Sequence, residues 1–194
     1  SKPDKFYDLV VVGGGMVGAS FCCALEEALG ENSLSILVIE AILPNANSAK
    51  QSSFDARSTA LSFGSRKFFE GIGLWQALEE AVSAIHEIQV SDRGRLGSVE
   101  INRDEQNVEA LGYVVENKRL GQVLNSRLNE SGNIHFLCPA LVSSVKATEK
   151  GMQLGLQHGD TETSVDASLV VLADGGKSPV CEQLAIAHSI ERYE

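Results

Sequence analysis

The chain has 194 residues, and its 16 lysines and arginines are outnumbered by 26 aspartates and glutamates, which gives a formal net charge of −10. Hydrophobic residues make up 43% and charged residues 22%. This is ordinary globular usage, and it excludes disordered, collagen-like and coiled-coil chains. Nucleic-acid-binding surfaces are normally basic, so the acidic balance argues against that class of function. The length predicts one domain, or one domain with part of another.

The cysteines and the longest uncharged run bear on the location of the protein. Cys22, Cys23, Cys138 and Cys181 form no C-x-x-C motif, so we expect free thiols in a reducing compartment. The uncharged run Leu9–Leu25 is interrupted by several glycines. It is shorter than the ~20 residues that a membrane-spanning helix needs. These features predict a cytoplasmic protein.

The start of the chain, as far as Glu40, shows the pattern of a β-α-β unit. Tyr7–Val12 is apolar and rich in β-branched residues, as in a buried parallel strand. Met16–Leu29 is typical of a helix, and Gly30 ends it. Ser33–Glu40 repeats the strand pattern. Such units are right-handed, with the helix packed on the sheet.

A polar loop and a change of periodicity follow. Leu43–Ser58 is polar, and loops of this length in a compact domain are usually functional. Beyond it, the sequence predicts helices over Gly64–Ile72 and Leu74–Ala84, and strands over Glu87–Ser91 and Leu96–Ile101 joined by a turn at Asp92–Gly94. Apolar and polar residues alternate in these two strands, which therefore predict a β-hairpin.

The second half of the chain predicts a further helix and several more strands. Its elements are Val114–Arg119 leading into a helix to Asn129, the strand Asn133–Cys138, an antiparallel meander of Ala140–Thr148, Met152–Gln157 and Thr161–Ala167, the buried strand Ser168–Ala173, and a short helix from Ser178 to Ala187. The whole pattern predicts an α/β fold, in which a Rossmann-like β-α-β unit is combined with an antiparallel β-meander.

A glycine-rich motif joins the first strand to the first helix. Gly13, Gly15 and Gly18 have the G-x-G-x-x-G spacing, and Glu40 ends the second strand, close to the spacing of about 20 residues expected for a ribose-binding acid. In this fingerprint the glycines permit a tight turn, a close approach to a pyrophosphate and close helix–sheet packing, while the acid binds a ribose. A carboxylate there repels a 2′-phosphate, so the motif points to FAD or NAD and away from NADP.

Two further motifs allow more than one interpretation. Arg57, in Asp55-Ala56-Arg57-Ser58, is either a phosphate- or cofactor-binding side chain or a solvated surface arginine. Asp174 follows an apolar strand and precedes two glycines, at the place where open α/β sheets bind ligands. The alternative for Asp174 is a simple turn, with Ser178 as the N-cap of the next helix.

Taken in this order, the three motifs resemble the flavin-dependent aromatic hydroxylases of the p-hydroxybenzoate hydroxylase type. The resemblance covers the chain from Tyr7 onward. Three connecting stretches are most similar to the bacterial hydroxylases of ubiquinone biosynthesis that act on 2-polyprenyl-6-methoxyphenol: FDARSTALSFGSRKFFEGIGLWQAL, IHEIQVSDRGRLGSV and LGYVVENKRLGQVL. The third FAD motif of that family, a Gly-Asp or Gly-Asn before a His-Pro segment, is not found. We therefore expect an N-terminal fragment of such an enzyme.

The resemblance implies a set of FAD-binding residues. Gly13, Gly15 and Gly18 would hold the pyrophosphate, Glu40 the adenosine ribose, Val142 the adenine through its backbone, and Asp174 the ribityl hydroxyls. Arg57 would lie on the flavin side, where Asn117 or Gln122 would reach the flavin phosphate or the ribityl chain. It also implies that residues 1–85 and 106–181 form the FAD-binding domain. The hairpin 86–105 and the truncated segment 182–194 would belong to a mixed-sheet substrate domain.

The implied activity is hydroxylation of a phenol ring with NAD(P)H as co-substrate and O₂. The flavin carries the hard chemistry in such enzymes, so no catalytic residue and no metal ligand is assigned, and we expect the fragment alone to be inactive. The implied partner is a small phenolic substrate with a prenyl tail, and no nucleic acid. A prenylated substrate implies peripheral work at the inner membrane, through the missing half or a biosynthetic complex.

Two other functional classes remain open at this stage. An NAD-dependent dehydrogenase would share the β-α-β unit that ends at Glu40, but the predicted meander interrupts the β-α-β continuation that such an enzyme needs. A non-catalytic module that keeps the FAD-type fold for protein binding, as the Rab GDP-dissociation inhibitors do, would not need to retain Gly13, Gly15, Gly18 and Glu40.

Overall fold

The structure is a computed structural model that describes residues 6–30, 32–42, 54–91, 94, 96–176, 178–187, 189 and 191. The chain forms two compact units, Ser1–Asn45 with Asn125–Glu194, and Ala46–Leu124. The predicted boundaries of the FAD-binding and substrate domains, at residues 85, 105 and 181, stay a prediction.

The elements follow one another in the order expected for an α/β protein. They are β1 (Phe6–Val12), α1 (Met16–Leu29), β2 (Ile36–Ile39), β3 (Ser58–Ser62), α2 (Phe63–Gly71), α3 (Trp75–Glu79), β4 (Val82–Ile85), β5 (Glu87–Ser91), β6 (Ser98–Asn102), β7 (Gly112–Glu116), α4 (Asn117–Glu130), β8 (Ile134–Leu137), β9 (Leu141–Thr148), β10 (Gly151–His158), β11 (Thr161–Leu172) and α5 (Pro179–Gln183).

The first unit is built on one six-stranded sheet, with strand order β8-β2-β1-β11-β10-β9. The first four strands in this order run parallel, whereas β10 is antiparallel to both β11 and β9. The parallel strands therefore end at one edge of the sheet, where α/β proteins bind ligands. The residues that follow β1, β2, β8 and β11 all lie at this edge.

The first unit has a continuous apolar core, to which both the parallel and the antiparallel strands contribute. Side chains of β1, β2, β9, β10, β11 and α5 contribute to it, and Tyr7, Val10, Leu154 and Leu156 are completely buried. Burial of a large aliphatic side chain stabilises a fold by roughly 1.5–3 kcal/mol. The core therefore stabilises the strands whose ends form the edge at which α/β proteins bind ligands.

The second unit contains a three-stranded antiparallel sheet in the order β3-β7-β4, and β5 and β6 form a separate hairpin. Trp75 and Leu78 of α3 are buried. The Trp75 ring meets Tyr113 of β7 edge-on at 4.8 Å, and the Arg66 guanidinium lies 5.4 Å above the Trp75 ring. Trp75 is thus a core residue of the second unit.

Most predicted elements are confirmed, and the exceptions have a common cause. The helix predicted over Leu74–Ala84 is wrong beyond Glu79, because Val82–Ile85 is strand β4, paired with β7. The predicted polar loop ends in strand β3, which pairs with the other side of β7. Tertiary pairing overrides local propensity at both places. Strand β7, Gly112–Glu116, was not predicted as a separate strand, because the sequence pattern leads Val114–Arg119 into the following helix, which begins at Asn117. The remaining described elements fall within a few residues of their predicted bounds.

One further correction concerns the strand before Asp174. The predicted strands Thr161–Ala167 and Ser168–Ala173 are one strand, β11, which pairs with β10 through its first half and with β1 through its second. Its second half is not buried, and Leu169 is 60% exposed. The turn residues Asp92 and Arg93 of the confirmed hairpin lie outside the described residues. No described helix has both the length and the apolar character needed to cross a bilayer.

Candidate functional site

The loop between β1 and α1 leaves no room for side chains at two of the predicted glycines. Gly13 has φ +100°, and a Cβ there would lie 2.5 Å from the carbonyl oxygen of Ala173. A Cβ on Gly18 would overlap the carbonyl oxygen of Gly13. Only glycine satisfies both restraints, so the tight turn and the close packing predicted from the fingerprint are present in the structure.

The N-terminus of α1 is left open for an anion. Its N-cap is Gly15, no side chain caps the helix, and its first turn contains no acidic residue. The first N–H groups of a helix have no partner within the helix, and together they carry about half a positive charge. A helix start of this kind, behind a glycine turn, is suited to bind a phosphate.

The Glu40 carboxylate is held in place by the backbone of both neighbouring loops. Its Oε2 accepts a hydrogen bond from Gly14 N at 2.8 Å, and its Oε1 accepts one from Ile42 N at 2.9 Å. Each carboxylate oxygen can accept more than one hydrogen bond. The half-buried side chain is therefore oriented beforehand and keeps capacity to accept hydrogen bonds from ribose hydroxyls.

The turn from β8 to β9 lies against the backbone of Glu40. Glu40 N donates to Leu137 O at 3.0 Å, and Ala140 N donates to Glu40 O at 2.8 Å. These bonds bring the start of β9, where Val142 lies, to the same sheet edge as Glu40. The Val142 side chain is half-buried and packs against the core.

Cys138 supports the same turn as a neutral thiol. Its Sγ donates to Ile42 O at 3.4 Å. Burial, and to a smaller extent the charge of Glu40, raises the pKa of the thiol to about 11. A thiol of this kind is a weak donor with little reactivity. Cys138 is therefore part of the scaffold around Glu40, as the expectation of free thiols implies.

Asp174 is brought next to the glycine loop by the parallel pairing of β1 and β11. Ala173 N donates to Val12 O at 2.7 Å, and the backbone of Ala173 and Asp174 covers Gly13. The Asp174 side chain is exposed. Ser178 accepts a hydrogen bond from Cys181 N and caps α5. The predicted turn and N-cap are thus present beside a carboxylate that faces solvent at the ligand edge.

The second unit joins two of the predicted residues through Asp55. The Asp55 carboxylate accepts hydrogen bonds from Arg57 N at 3.0 Å, Arg57 Nε at 2.6 Å and Asn117 Nδ2 at 3.2 Å. These donors, above all the Arg57 backbone N–H, hold the pKa of Asp55 below its ordinary value of 3.8. The Arg57 side chain is 68% exposed, so Arg57 is a solvated surface arginine whose backbone N–H and Nε are bonded to Asp55.

Asn117 is the buried centre of this cluster. It is 3% exposed, its backbone N donates to Arg57 O at 2.9 Å, and its Oδ1 accepts a hydrogen bond from the Thr59 hydroxyl. Gln122 lies further along α4 and is exposed. At about 3.6 residues per turn, the two side chains lie about 140° apart around the helix. The structure thus places Asn117 with Arg57 and gives Gln122 a different face.

The sequence motifs did not identify two members of these clusters. Gly14 occupies a variable position of the fingerprint, yet a Cβ there would lie 2.8 Å from the Phe136 ring and 3.2 Å from the Glu40 Cβ. The run of consecutive glycines was the available signal. Thr59 belongs to the unpredicted strand β3, and a single threonine carries no signal of a partner as distant along the chain as Asn117.

The comparisons with known proteins agree with this geometry. The family model described as FAD binding domain matches residues 7–193. The ubiquinone hydroxylase UbiL of Rhodospirillum rubrum is 33% identical over 94% of this chain and 40% of its own length. The 3-demethoxyubiquinol 3-hydroxylase of Escherichia coli is 28% identical over 96% of the chain and 46% of its own length. The chain thus spans about two fifths of the length of the curated relatives it matches.

Solved structures share the fold at low identity. The p-nitrophenol 4-monooxygenase PnpA of Pseudomonas putida superposes with a TM-score of 0.75 at 17% identity, over 93% of this chain and 44% of that one. The flavin-dependent monooxygenase PieE, solved with FAD and substrate, gives a TM-score of 0.76 at 17% identity, over 95% and 33%. The glycine loop, the open start of α1 and the fixed Glu40 carboxylate fit the pyrophosphate and ribose of FAD, and the chain belongs to the FAD-binding domain family.

Proposed function

We propose that this chain is the FAD-binding part of a flavin-dependent monooxygenase that hydroxylates a phenol ring in ubiquinone biosynthesis, using NAD(P)H and O₂. Relatives named as ubiquinone hydroxylases align with nearly the whole chain, and this supports the choice of substrate class. We further propose that the phenol carries a polyprenyl tail and that the substrate is a 2-polyprenyl-6-methoxyphenol.

One observation carries the proposal: the glycine loop is fixed on both sides at the sheet edge. Ala173 covers Gly13 on the β11 side, and Glu40 binds Gly14 N on the β2 side. The loop cannot take side chains at Gly13 and Gly18, and it presents the uncapped start of α1. A turn fixed in this way, with a carboxylate on one flank, matches a dinucleotide with its ribose beside Glu40.

Each predicted site residue has a role in this proposal. Gly13, Gly15 and Gly18 bind the pyrophosphate, Glu40 the adenosine ribose, Val142 the adenine through its backbone, and Asp174 the ribityl hydroxyls. When bound, FAD supplies the redox chemistry and the reaction with oxygen. The residues of this unit bind and orient the cofactor, and none of them has to transfer a proton.

The residues of the second unit have the role of contacting the flavin side of the cofactor. Asp55 fixes the Arg57 backbone and its Nε atom, and Asn117 is held by the same carboxylate. A guanidinium oriented in this way remains positively charged at any physiological pH. In the proposal, Arg57 contributes this charge, Asn117 fixes the segment that carries it, and Gln122 is the alternative contact on the exposed face of α4.

The nicotinamide cofactor is a co-substrate in this proposal rather than the resident dinucleotide. The Glu40 carboxylate would repel the 2′-phosphate of NADP at the adenosine position. The antiparallel arrangement of β9, β10 and β11 takes the place of the second β-α-β unit that an NAD-dependent dehydrogenase requires. A prenylated substrate places the whole enzyme at a membrane surface, through residues beyond this chain or through a partner complex.

A thermal-shift titration of the chain with FAD, ADP, NAD and NADP tests the proposed cofactor. Binding at one site at 100 times Kd adds about 2.7 kcal/mol to the free energy of unfolding, which is readily measured. We expect FAD and ADP to raise the melting temperature, and NAD and NADP to raise it little. A shift with NAD but not with FAD would instead support a dehydrogenase. If no nucleotide shifts it, the titration is repeated on the full-length protein, where failure of every nucleotide to bind would favour a protein-binding module.

An activity assay tests the fragment itself. We expect the chain alone to show no sustained NAD(P)H oxidation in the presence of a phenol, because the residues that enclose the flavin ring in a hydroxylase extend beyond this domain. Sustained phenol-dependent oxidation by the chain alone would contradict this expectation.

A further inference from the structure

The Phe136 ring lies directly against the glycine loop. Phe136 belongs to β8, at the outer side of the parallel strands, and its backbone pairs with Val38 of β2. A Cβ on Gly14 would lie 2.8 Å from Cε2 and 3.0 Å from Cζ of the ring. Real Cβ contacts are essentially never shorter than 3.0 Å. The ring therefore occupies the space that a side chain at residue 14 would need.

Gly14 is held from a second direction by Glu40. The carboxylate accepts the Gly14 N–H at 2.8 Å, and the Glu40 Cβ would lie 3.2 Å from a Cβ on Gly14. The Cα of Gly14 thus faces both the Phe136 ring and the Glu40 side chain, while its N–H is bonded to the Glu40 carboxylate. Displacement of this peptide would break the bond that orients Oε2, while Oε1 would keep its bond to Ile42 N.

We propose that Phe136 is a positioning residue, whose ring fixes the Gly14 peptide where its N–H donates to Glu40. The ring thereby sets the position of the pyrophosphate-binding loop relative to the ribose-binding carboxylate. The inference rests on the proposed binding of FAD. It assigns a function to a residue of β8 that no cofactor motif includes, and it explains why a glycine stands at a fingerprint position that tolerates other residues. The size of residue 136 and the size of residue 14 are therefore coupled.

A double-mutant cycle on the full chain tests this coupling, with FAD affinity measured by quenching of flavin fluorescence. We expect Gly14→Ala to weaken FAD binding about tenfold, because the new methyl group must displace the ring or the carboxylate. Phe136→Leu removes the far ring atoms and is expected to weaken binding about threefold. In the double variant, FAD binding recovers to within about threefold of the original chain, because the methyl group now has space.

Phe68→Leu is the matched control for the cycle. Phe68 is a partly exposed phenylalanine of α2, in the second unit. Combined with Gly14→Ala, it is expected to give no recovery. Additive effects of Gly14→Ala and Phe136→Leu, or equal recovery with Phe68→Leu, would overturn the proposal.

Two further measurements keep the test decisive. If Gly14→Ala does not fold, Phe136→Ala alone is measured, and FAD binding weakened about fivefold is expected from loss of the ring. FAD binding equal to that of the original chain would overturn the proposal. The melting temperature of each variant without ligand separates an effect on stability from an effect on FAD affinity. If Phe136 had a purely structural role, its replacement would lower the melting temperature and leave the FAD affinity unchanged. Failure of the unaltered chain to bind FAD or ADP would be a failure of the proposed function. The coupling of residues 14 and 136 would then be measured from the melting temperatures of the unliganded chains in the same cycle, and additive changes in melting temperature would overturn it.

Discussion

The glycine loop of the first unit and the Asp55 cluster of the second are built from different chemical groups. The loop uses backbone: glycines without room for a Cβ, the N–H groups of α1, and one carboxylate that binds main-chain atoms. The Asp55 cluster uses side chains: the Asp55 carboxylate accepts hydrogen bonds from the Arg57 guanidinium and the Asn117 amide. A backbone site tolerates no added volume, whereas a side-chain site depends on each polar partner.

The contrast between a backbone site and a side-chain site predicts which substitutions disrupt each of them. In the loop, a single methyl group is sufficient to exclude the native backbone path. In the Asp55 cluster, volume matters less, and the cost arises from donors and acceptors left without partners around the buried Asn117. The variants below separate these two kinds of failure, from the largest expected effect to the smallest.

Gly18→Ala is expected to have the largest effect. The new Cβ would overlap the Gly13 carbonyl oxygen, so the loop or the start of α1 must move. We expect the free energy of unfolding to fall by about 2–3 kcal/mol. A loss of binding free energy of similar size corresponds to an increase of roughly 100-fold in the Kd for ADP. Calorimetric titration with ADP, together with urea unfolding, measures both quantities.

Gly71→Ala is the control for this variant. Gly71 ends α2, and a Cβ there would meet nothing within 4 Å. Replacement of a helical glycine by alanine without strain is neutral or stabilises by about 0.4–1 kcal/mol. If both variants lost the same stability, loss of a glycine in general, and not crowding at the loop, would be the cause.

Asn117→Ala is expected to destabilise the second unit and to leave the affinity for ADP unchanged. Asn117 is buried. Removal of its amide takes away the acceptor of the Thr59 hydroxyl and one of the donors to the Asp55 carboxylate. Loss of buried hydrogen-bond partners costs about 1–3 kcal/mol. Urea unfolding followed by the fluorescence of Trp75, which lies in the same unit, reports this loss. A fall in ADP affinity as large as that of Gly18→Ala would contradict the division between the two kinds of site.

Glu40→Gln is expected to weaken ADP binding about tenfold, which corresponds to about 1.4 kcal/mol. The amide keeps the shape of the carboxylate, but its nitrogen cannot accept a hydrogen bond, so Gly14 N or Ile42 N loses its partner. Loss of the charge also removes the repulsion of a 2′-phosphate, so the ratio of NADP to NAD affinity should rise. Calorimetry with each nucleotide tests this, and an unchanged ratio would show that the charge does not select the ribose.

The degree to which sequence predicted this molecule follows from the distance between interacting residues. β1 and α1 were predicted because their periodicity is local, and Gly13, Gly18 and Glu40 because a dinucleotide-binding turn requires those residue types at that spacing. β3 and β4 were misassigned because their common partner β7 lies far along the chain, beyond the hairpin of β5 and β6. Gly14, Phe136 and Thr59 carry no local signal of their partners, since each acquires its role from a neighbour on another strand or loop.

The smallest effect is the pH dependence of the Asp55 cluster, and Asp55→Asn tests it. The folded pKa of Asp55 is lowered, so its stabilising contribution is fully present above the ordinary value of 3.8 and is lost as the pH falls through the lower folded pKa. The difference in melting temperature between the original chain and Asp55→Asn should therefore be constant from pH 7 to 5 and shrink below pH 4.

Asp8→Asn is the matched variant in the first unit, because the N–H and hydroxyl of Ser35 lower the pKa of Asp8. We expect its difference in melting temperature to depend on pH in the same way. A difference that stays constant down to pH 3 for Asp55→Asn would show that its hydrogen bonds to Arg57 and Asn117 contribute nothing to folding. The Asp55 cluster would then act only on the orientation of Arg57.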